Sequence, residues 1–256
     1  MQTDYPLESI EHVIDGVAGT PVLFLHGWGG NTNTMNSLSQ PISSHRKTVS
    51  LSMPGFGSSP DPSEEWGSWD YVEAIHQWLN LNGFKKIDIV SHSFGGRVAI
   101  GLAHRYPNSV NKMVLIGSAG LVLPRSSRVW VKLLIARTIN LFGNLVRGEF
   151  NEKLQARKSK LGSADWIAAS PIMRRILGRV IREELSFEMR EIKAQTLLLW
   201  GINDTAVPVK LGKRMNQLIQ HSKFTILPNA GHYPFLDAPG KTLTEVWDWL
   251  ELPSVW

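Results

Sequence analysis

Two hydrophobic patterns alternate along this chain. Short continuous apolar runs occur at Pro21–Leu25, Thr48–Ser52, Ile87–Val90, Asn111–Gly117, Gln195–Trp200 and Lys223–Leu227. Runs of that length without a polar face predict strands buried on both sides. Between them, apolar residues recur at three- and four-residue steps. Trp69, Val72, Ile75, Trp78 and Leu79 predict a helix over Trp66–Asn82, stopped by Gly83. Further helices are expected after Ser93, ending near Tyr106-Pro107, at Val209–Ile219 and at Lys241–Leu250. Glu8–Asp15 alternates weakly and stops at Gly16, as an edge strand does, and the polar stretch to Pro41 reads as a loop with a short helix. Strands separated by helices predict an α/β fold, a doubly wound and mostly parallel sheet that binds ligands at the carboxyl ends of its strands.

The alternation stops between Leu121 and Arg190, where the pattern is helical without a clear buried strand. The expected organisation is therefore one core built from residues 1–120 and 191–256, with a helical cap inserted at 121–190. Charge follows the same division. The insertion holds 14 Lys and Arg against 6 Asp and Glu, leaving 13 against 16 in the remainder. The net charge of +5 thus belongs to the cap, which changes the picture more than the total does.

With 256 residues, 43% of them hydrophobic, the chain suits a single domain with a substantial core. No apolar run is long enough to span a bilayer. The first ten residues carry Asp4 and Glu8 rather than a basic start and an apolar stretch, so no secretion signal is read and a cytoplasmic location is expected. Cysteine is absent, which excludes disulfides, thiolate metal sites and a cysteine nucleophile. No metal or other cofactor is expected. Interleaved aromatic and basic residues of the kind that bind nucleic acid are missing.

The candidate chemistry begins at Ser91-His92-Ser93-Phe94-Gly95, between the Ile87–Val90 strand and the next helix. In such a strand-to-helix turn the central serine takes strained backbone angles and projects beyond the sheet. The residues two before and two after it must be small, and Ser91 and Gly95 are. A serine hydroxyl needs a base to take its proton and a third group to orient that base. His232 follows the strand ending at Leu227, and Asp204 follows the strand ending at Trp200. Taken singly, His232 reads equally as a turn residue and Asp204 as an Asx-turn or helix cap. Three such residues at successive strand ends, in the chain order Ser, Asp, His, read as one catalytic set. His26-Gly27-Trp28-Gly29-Gly30 closes the first buried strand. It serves either as a plain tight turn or as an oxyanion loop with the Trp28 N–H as donor.

His26-Gly27-Trp28-Gly29-Gly30, Pro54-Gly55-Phe56-Gly57, the Ser93 turn, Trp200-Gly201-x-x-Asp204 and Gly231-His232 through Pro239 together resemble the α/β-hydrolase fold superfamily, in its serine-nucleophile branch with a helical cap. The resemblance implies Ser93 as nucleophile, His232 as general base and Asp204 as orienting acid. It further implies an oxyanion hole formed by the backbone N–H groups of Trp28 and Phe94. Asp237 is read as capping or packing around the last helix, and His26 and His92 as hydrogen-bonding residues of their turns.

The expected activity is hydrolysis of a carboxylic ester or thioester, a small-molecule substrate with an anionic one among the options, through an acyl-Ser93 intermediate. Two alternatives stay open: C–C bond hydrolysis of a ring-cleavage dienone, and a non-catalytic ligand receptor on a hydrolase frame. Ser-His-Ser at the turn, where the dienone enzymes often carry Gly-Asn-Ser, weighs against the former. In the cap, Trp130–Val146 reads as a lid helix packed on the core, with an acyl-pocket lining or peripheral contact with an anionic membrane as alternatives. Gly162–Trp166 and Ser170–Arg175 read as a second lid portion whose arginines steer acidic substrates or simply face solvent.

Overall fold

The computed structural model describes residues 3–122 and 169–253; the expected lid helix at 130–146 and the stretch at 162–166 lie outside them. Among the described residues, seven strands form one sheet in the order β1-β3-β2-β4-β5-β6-β7. They are β1 (His12–Asp15), β2 (Val22–Leu25), β3 (Thr48–Leu51), β4 (Ile87–His92), β5 (Val110–Ile116), β6 (Gln195–Gly201) and β7 (Ser222–Leu227). Only β1 runs antiparallel, as an exposed edge against β3; the doubly wound, mostly parallel sheet is the expected fold. β1 is shorter than the alternation predicts because Leu7–Ser9 makes a 3-10 turn.

The continuous apolar runs are explained by burial on both faces. In β2, Val22 and Phe24 face a core shared with α1 (Asn36–Ser43) and the last helix, while Leu23 and Leu25 face the opposite core. β5 divides in the same way, with Val114 and Ile116 on one side and Met113 and Leu115 on the other. The second and larger core holds α2 (Ser68–Leu81) and α3 (Phe94–Arg105). Chain order reverses around β2, which pairs with β3 on one side and β4 on the other. Their helices α1 and α3 leave to opposite faces, and the loops after β2 and β4 meet at the crevice between them.

Residues 170–191, which the sequence pattern places in the cap, pack into the core. They form α4 (Pro171–Val180) and α5 (Ser186–Glu191). Met173, Ile176, Val180, Leu185 and Met189 are buried with α2 and α3. Glu183 joins three elements at once. Its carboxylate accepts from the Ser68 N–H at 2.9 Å, and its backbone carbonyl accepts from buried Arg97 of α3 at 2.8 Å. The first turn of α2 lacks a side-chain cap of its own, since Gly67 precedes it; a Cβ on Gly67 would lie 2.4 Å from Glu183 Oε1. Glu183 therefore satisfies one of the first-turn amides that have no partner within the helix. Leu185 N–H donates to the Gly120 carbonyl at 2.8 Å, so the chain returns beside the point where it left. Three further helices follow, α6 (Val209–Leu218), α7 (Pro234–Asp237) and α8 (Pro239–Trp249). The single turn α7 is absent from the periodic pattern; it starts on a proline in the first helical position.

His26 ties β2 to the turn after β3. Its Nδ1–H donates to the Gly27 carbonyl at 2.7 Å and its Nε2 accepts from the Met53 N–H at 3.0 Å. Those partners fix one neutral tautomer, and burial lowers the ring's pKa to about 4. The unfolded chain takes up this proton near pH 6.5, so between about 6.5 and 4 it binds more protons than the native state. Stability is full above that window and falls through it as pH drops, by up to about 1.4 kcal/mol per pH unit for this group. Tm measured from pH 7 to 4 should decline, and His26→Asn should show a shallower decline from a lower starting point. A second prediction concerns Gly95, where an added Cβ would lie 2.2 Å from the Leu25 carbonyl oxygen. Backbone cannot yield as a flexible side chain does, so Gly95→Val should lower Tm steeply or prevent soluble expression, whereas Gly83→Ala, which meets nothing within 4 Å, should cost about 1 kcal/mol through its positive φ alone.

Candidate active site

Ser93 occupies the end of β4 with φ 49° and ψ −109°, immediately before α3. A non-glycine residue in this region is costly, by about 1–3 kcal/mol, and persists only where its surroundings hold it. Here the surroundings are specific. Ser93 N–H donates to the Ile116 carbonyl at 3.0 Å, and the Ser93 carbonyl accepts from Gly96 at 3.1 Å and Ala119 at 2.9 Å. Gly95 N–H donates to the His26 carbonyl at 3.1 Å. Buried Ser91, the other small residue of the turn, donates its hydroxyl to the Val114 carbonyl at 3.2 Å.

His232 and Asp204 meet this serine. Ser93 Oγ lies 3.1 Å from His232 Nε2, and His232 Nδ1 lies 2.8 Å from Asp204 Oδ2. The carboxylate can only accept, so Nδ1 carries the proton and Nε2 presents its lone pair to the serine hydroxyl. The second Asp204 oxygen, Oδ1, accepts from the Ala206 N–H at 2.9 Å and the Val207 N–H at 2.8 Å. The Asx-turn reading and the reading as partner of His232 therefore hold together, one oxygen for each. The Asp204 side chain is fully buried, while that of His232 keeps 16% exposure toward the cleft.

Trp28 and Phe94 stand beside the serine. A Cβ built on Gly27 would come within 3.3 Å of Ser93 Cβ, so the loop after β2 passes directly over the turn. The Trp28 ring packs edge-on against Phe94 at 5.2 Å and Phe56 at 4.9 Å. Tyr71 closes the same cluster against Phe94 at 5.0 Å.

One contributor was not singled out from the sequence, and Asp237 and His92 were read in more local roles. Gly117 follows β5 with φ 50°; a side chain there would crowd Asp204 Oδ2 at 3.1 Å and His232 Nδ1 at 3.3 Å. A glycine directly after a buried strand is the signal that marks it. Asp237 does not cap the last helix, whose first turn has no side-chain cap. Its carboxylate instead accepts from the Gly231 N–H at 2.7 Å, bracing the loop that carries His232. His92 reaches beyond its own turn, donating from Nε2 to the His232 carbonyl at 2.8 Å. Of the arginines in the expected cap segment, Arg175 lies 3.8 Å from Glu65, and Arg179 pairs with Glu183 and donates to the Glu65 carbonyl. Part of the positive charge on this limb is thus locally matched. Among the described residues, no helix is long and apolar enough to cross a membrane.

The chain is 27% identical, over 84% of its own length and 83% of the relative's, to a 2-hydroxy-6-oxo-2,4-heptadienoate hydrolase of Pseudomonas putida. It is also 27% identical to a pimeloyl-[acyl-carrier protein] methyl ester esterase of Shewanella woodyi, over 95% of this chain and 99% of that one. Among solved structures, the meta-cleavage product hydrolase of Pseudomonas fluorescens IP01 superposes with a TM-score of 0.71 at 22% identity, covering 94% of each chain. The family model described as alpha/beta hydrolase fold matches residues 20–239, and the chain belongs to that family.

Proposed function

We propose that this chain is a serine hydrolase that cleaves a carboxylic ester or thioester through an acyl-Ser93 intermediate. The observation that carries the reading is the continuous hydrogen-bonded path from Ser93 Oγ through His232 to Asp204, with spacings of 3.1 and 2.8 Å. In this reading Ser93 Oγ attacks the carbonyl carbon while His232 Nε2 takes its proton, and Asp204 stabilises the imidazolium. The tetrahedral oxyanion is received by backbone N–H groups of Trp28 and Phe94. The neighbouring amides of Gly95 and Gly96 are engaged by the carbonyls of His26 and Ser93. Phe94, as the first residue of α3, has no helical carbonyl for its own N–H and keeps it for a ligand. Collapse of the intermediate transfers the proton from His232 to the departing alcohol or thiol. Water, activated by the same imidazole, then releases the acid and restores Ser93.

The esterase of Shewanella woodyi supports this reading, since its match runs the length of both chains. The Pseudomonas putida relative favours a second one, hydrolysis of a C–C bond in a dienone, on the same three side chains. The Ser91-His92-Ser93 turn is retained as the point in favour of ester chemistry.

With p-nitrophenyl butyrate as substrate, Ser93→Ala should lower kcat/KM by at least about 10³-fold, and Asp204→Asn by a comparable factor. A fluorophosphonate should label the wild-type protein at Ser93 and leave Ser93→Ala unlabelled. Undiminished ester cleavage by Ser93→Ala would overturn the mechanism. Cleavage of a ring-opened dienone far faster than any ester in an acyl-length series would select the second reading.

A further inference from the structure

His92 precedes the nucleophile of the proposed reaction, yet the mechanism above gives it no task. Its ring is 1% exposed and packed among His232, Tyr233 and Phe235, with centroid separations of 4.7, 4.8 and 5.1 Å. On the far side it fills the space beside Gly27, where a Cβ would lie 2.6 Å from Nδ1. That Nδ1 has no hydrogen-bond partner among the described residues. A buried acceptor left unsatisfied costs stability, so a residue present only to fill this space would be apolar. The hydrogen bond that the imidazole does make is the 2.8 Å donation from Nε2 to the His232 carbonyl. That bond is what a histidine supplies here and a leucine or phenylalanine does not.

We infer that His92 is a positioning residue that gauges the base against the nucleophile. The inference rests on the serine-hydrolase reading. His92 and Ser93 are covalent neighbours on one side, and His232 stands on the other. Two hydrogen bonds close them into a ring: His92 Nε2–H to the His232 carbonyl, and the Ser93 hydroxyl to His232 Nε2. The second bond must break and re-form whenever the proton moves between Ser93, His232 and the leaving group. The first involves no reacting atom and holds throughout. Together with the bond from Gly231 N–H to Asp237, it fixes the His232 main chain on both flanks while the imidazole changes charge. Burial and the neighbouring His232 depress the His92 pKa to about 3, so the ring stays neutral with its proton on Nε2.

The test compares His92→Leu, which fills the space without donating, with His92→Gln, whose amide nitrogen reaches the position of Nε2. Removing the link should lower kcat for p-nitrophenyl butyrate about tenfold to a hundredfold in His92→Leu, because small misplacements of a reacting group have effects of that size. KM should stay within about twofold, and fluorophosphonate labelling of Ser93 should slow by the same factor as kcat. His92→Gln should recover most of both rates. In proteins with ¹⁵N-labelled histidine, the His232 Nδ1–H resonance, which reports its bond to Asp204, should shift or broaden in His92→Leu and stay in place in His92→Gln. Wild-type kcat and an unmoved resonance in His92→Leu overturn the inference. So do equal losses in both variants, which assign the effect to ring packing; His92→Phe provides the same comparison if His92→Leu does not fold. Failure of the hydrolase reading shows separately, as absent turnover and labelling in the wild-type protein, and in that case the resonance alone decides whether His92 holds His232.

Discussion

The site depends on the close approach of two backbones, the end of β2 and the turn after β4. Gly95 sits so near the Leu25 and His26 carbonyls that a Cβ would overlap them. Only with that side chain missing can α3 start where it does and hold Ser93 in the left-handed region. The strain at Ser93 is local, but the restraints on its turn come from two other segments. The His26 carbonyl, just after β2, holds the Gly95 amide; the Ile116 carbonyl of β5 holds the Ser93 amide, and β5 continues into the Ser118-Ala119 turn, whose Ala119 amide returns to the Ser93 carbonyl. Packing of this kind is rigid because no restraint can relax without breaking a hydrogen bond in a dry environment.

His232 is held differently, since it lies on a loop rather than at the end of a strand. Three contacts replace the regular ladder. Asp237 grips the amide before it, His92 grips its carbonyl, and Gly201 lets the Ala230–Gly231 backbone lie against the end of β6. Asp204 is in turn fixed by two amides of its own turn, which leaves one oxygen for the imidazole. The arrangement thus carries a supporting set of polar contacts as specific as the three side chains themselves.

The limb 170–191, expected in a cap, is instead part of the core. Glu183 accepts from the first amide of α2, receives Arg97 from the helix that starts at the Ser93 turn, and pairs with Arg179. Met173 occupies the space left by Gly55, where a Cβ would lie 2.3 Å from its sulfur, and its sulfur lies 4.0 Å from the Tyr71 hydroxyl. Tyr71 then packs on Phe94. A change in this limb therefore reaches the residue after Ser93 through two side chains. That route is one of packing contact, and it runs opposite to the His92 and His232 side of the turn.

The sequence by itself determined the buried strands, the doubly wound and mostly parallel character of the sheet, and the three side chains now found in hydrogen-bond contact. Those features are local or periodic: a run buried on both faces is continuously apolar, and a residue closing such a run must emerge at one edge of the sheet. Ser93, Asp204 and His232 were legible because each lies in the turn or loop that leaves the carboxyl end of a strand. Tertiary structure alone decided the roles of Asp237, Gly117, His92 and Glu183. Each acts on a partner brought near by folding, as when His92 meets a carbonyl 140 residues away. Hydrophobic periodicity fixes which face a side chain takes, but not which polar group waits there. A carboxylate beside a helix looks the same in sequence whether it caps that helix or steadies a neighbouring loop.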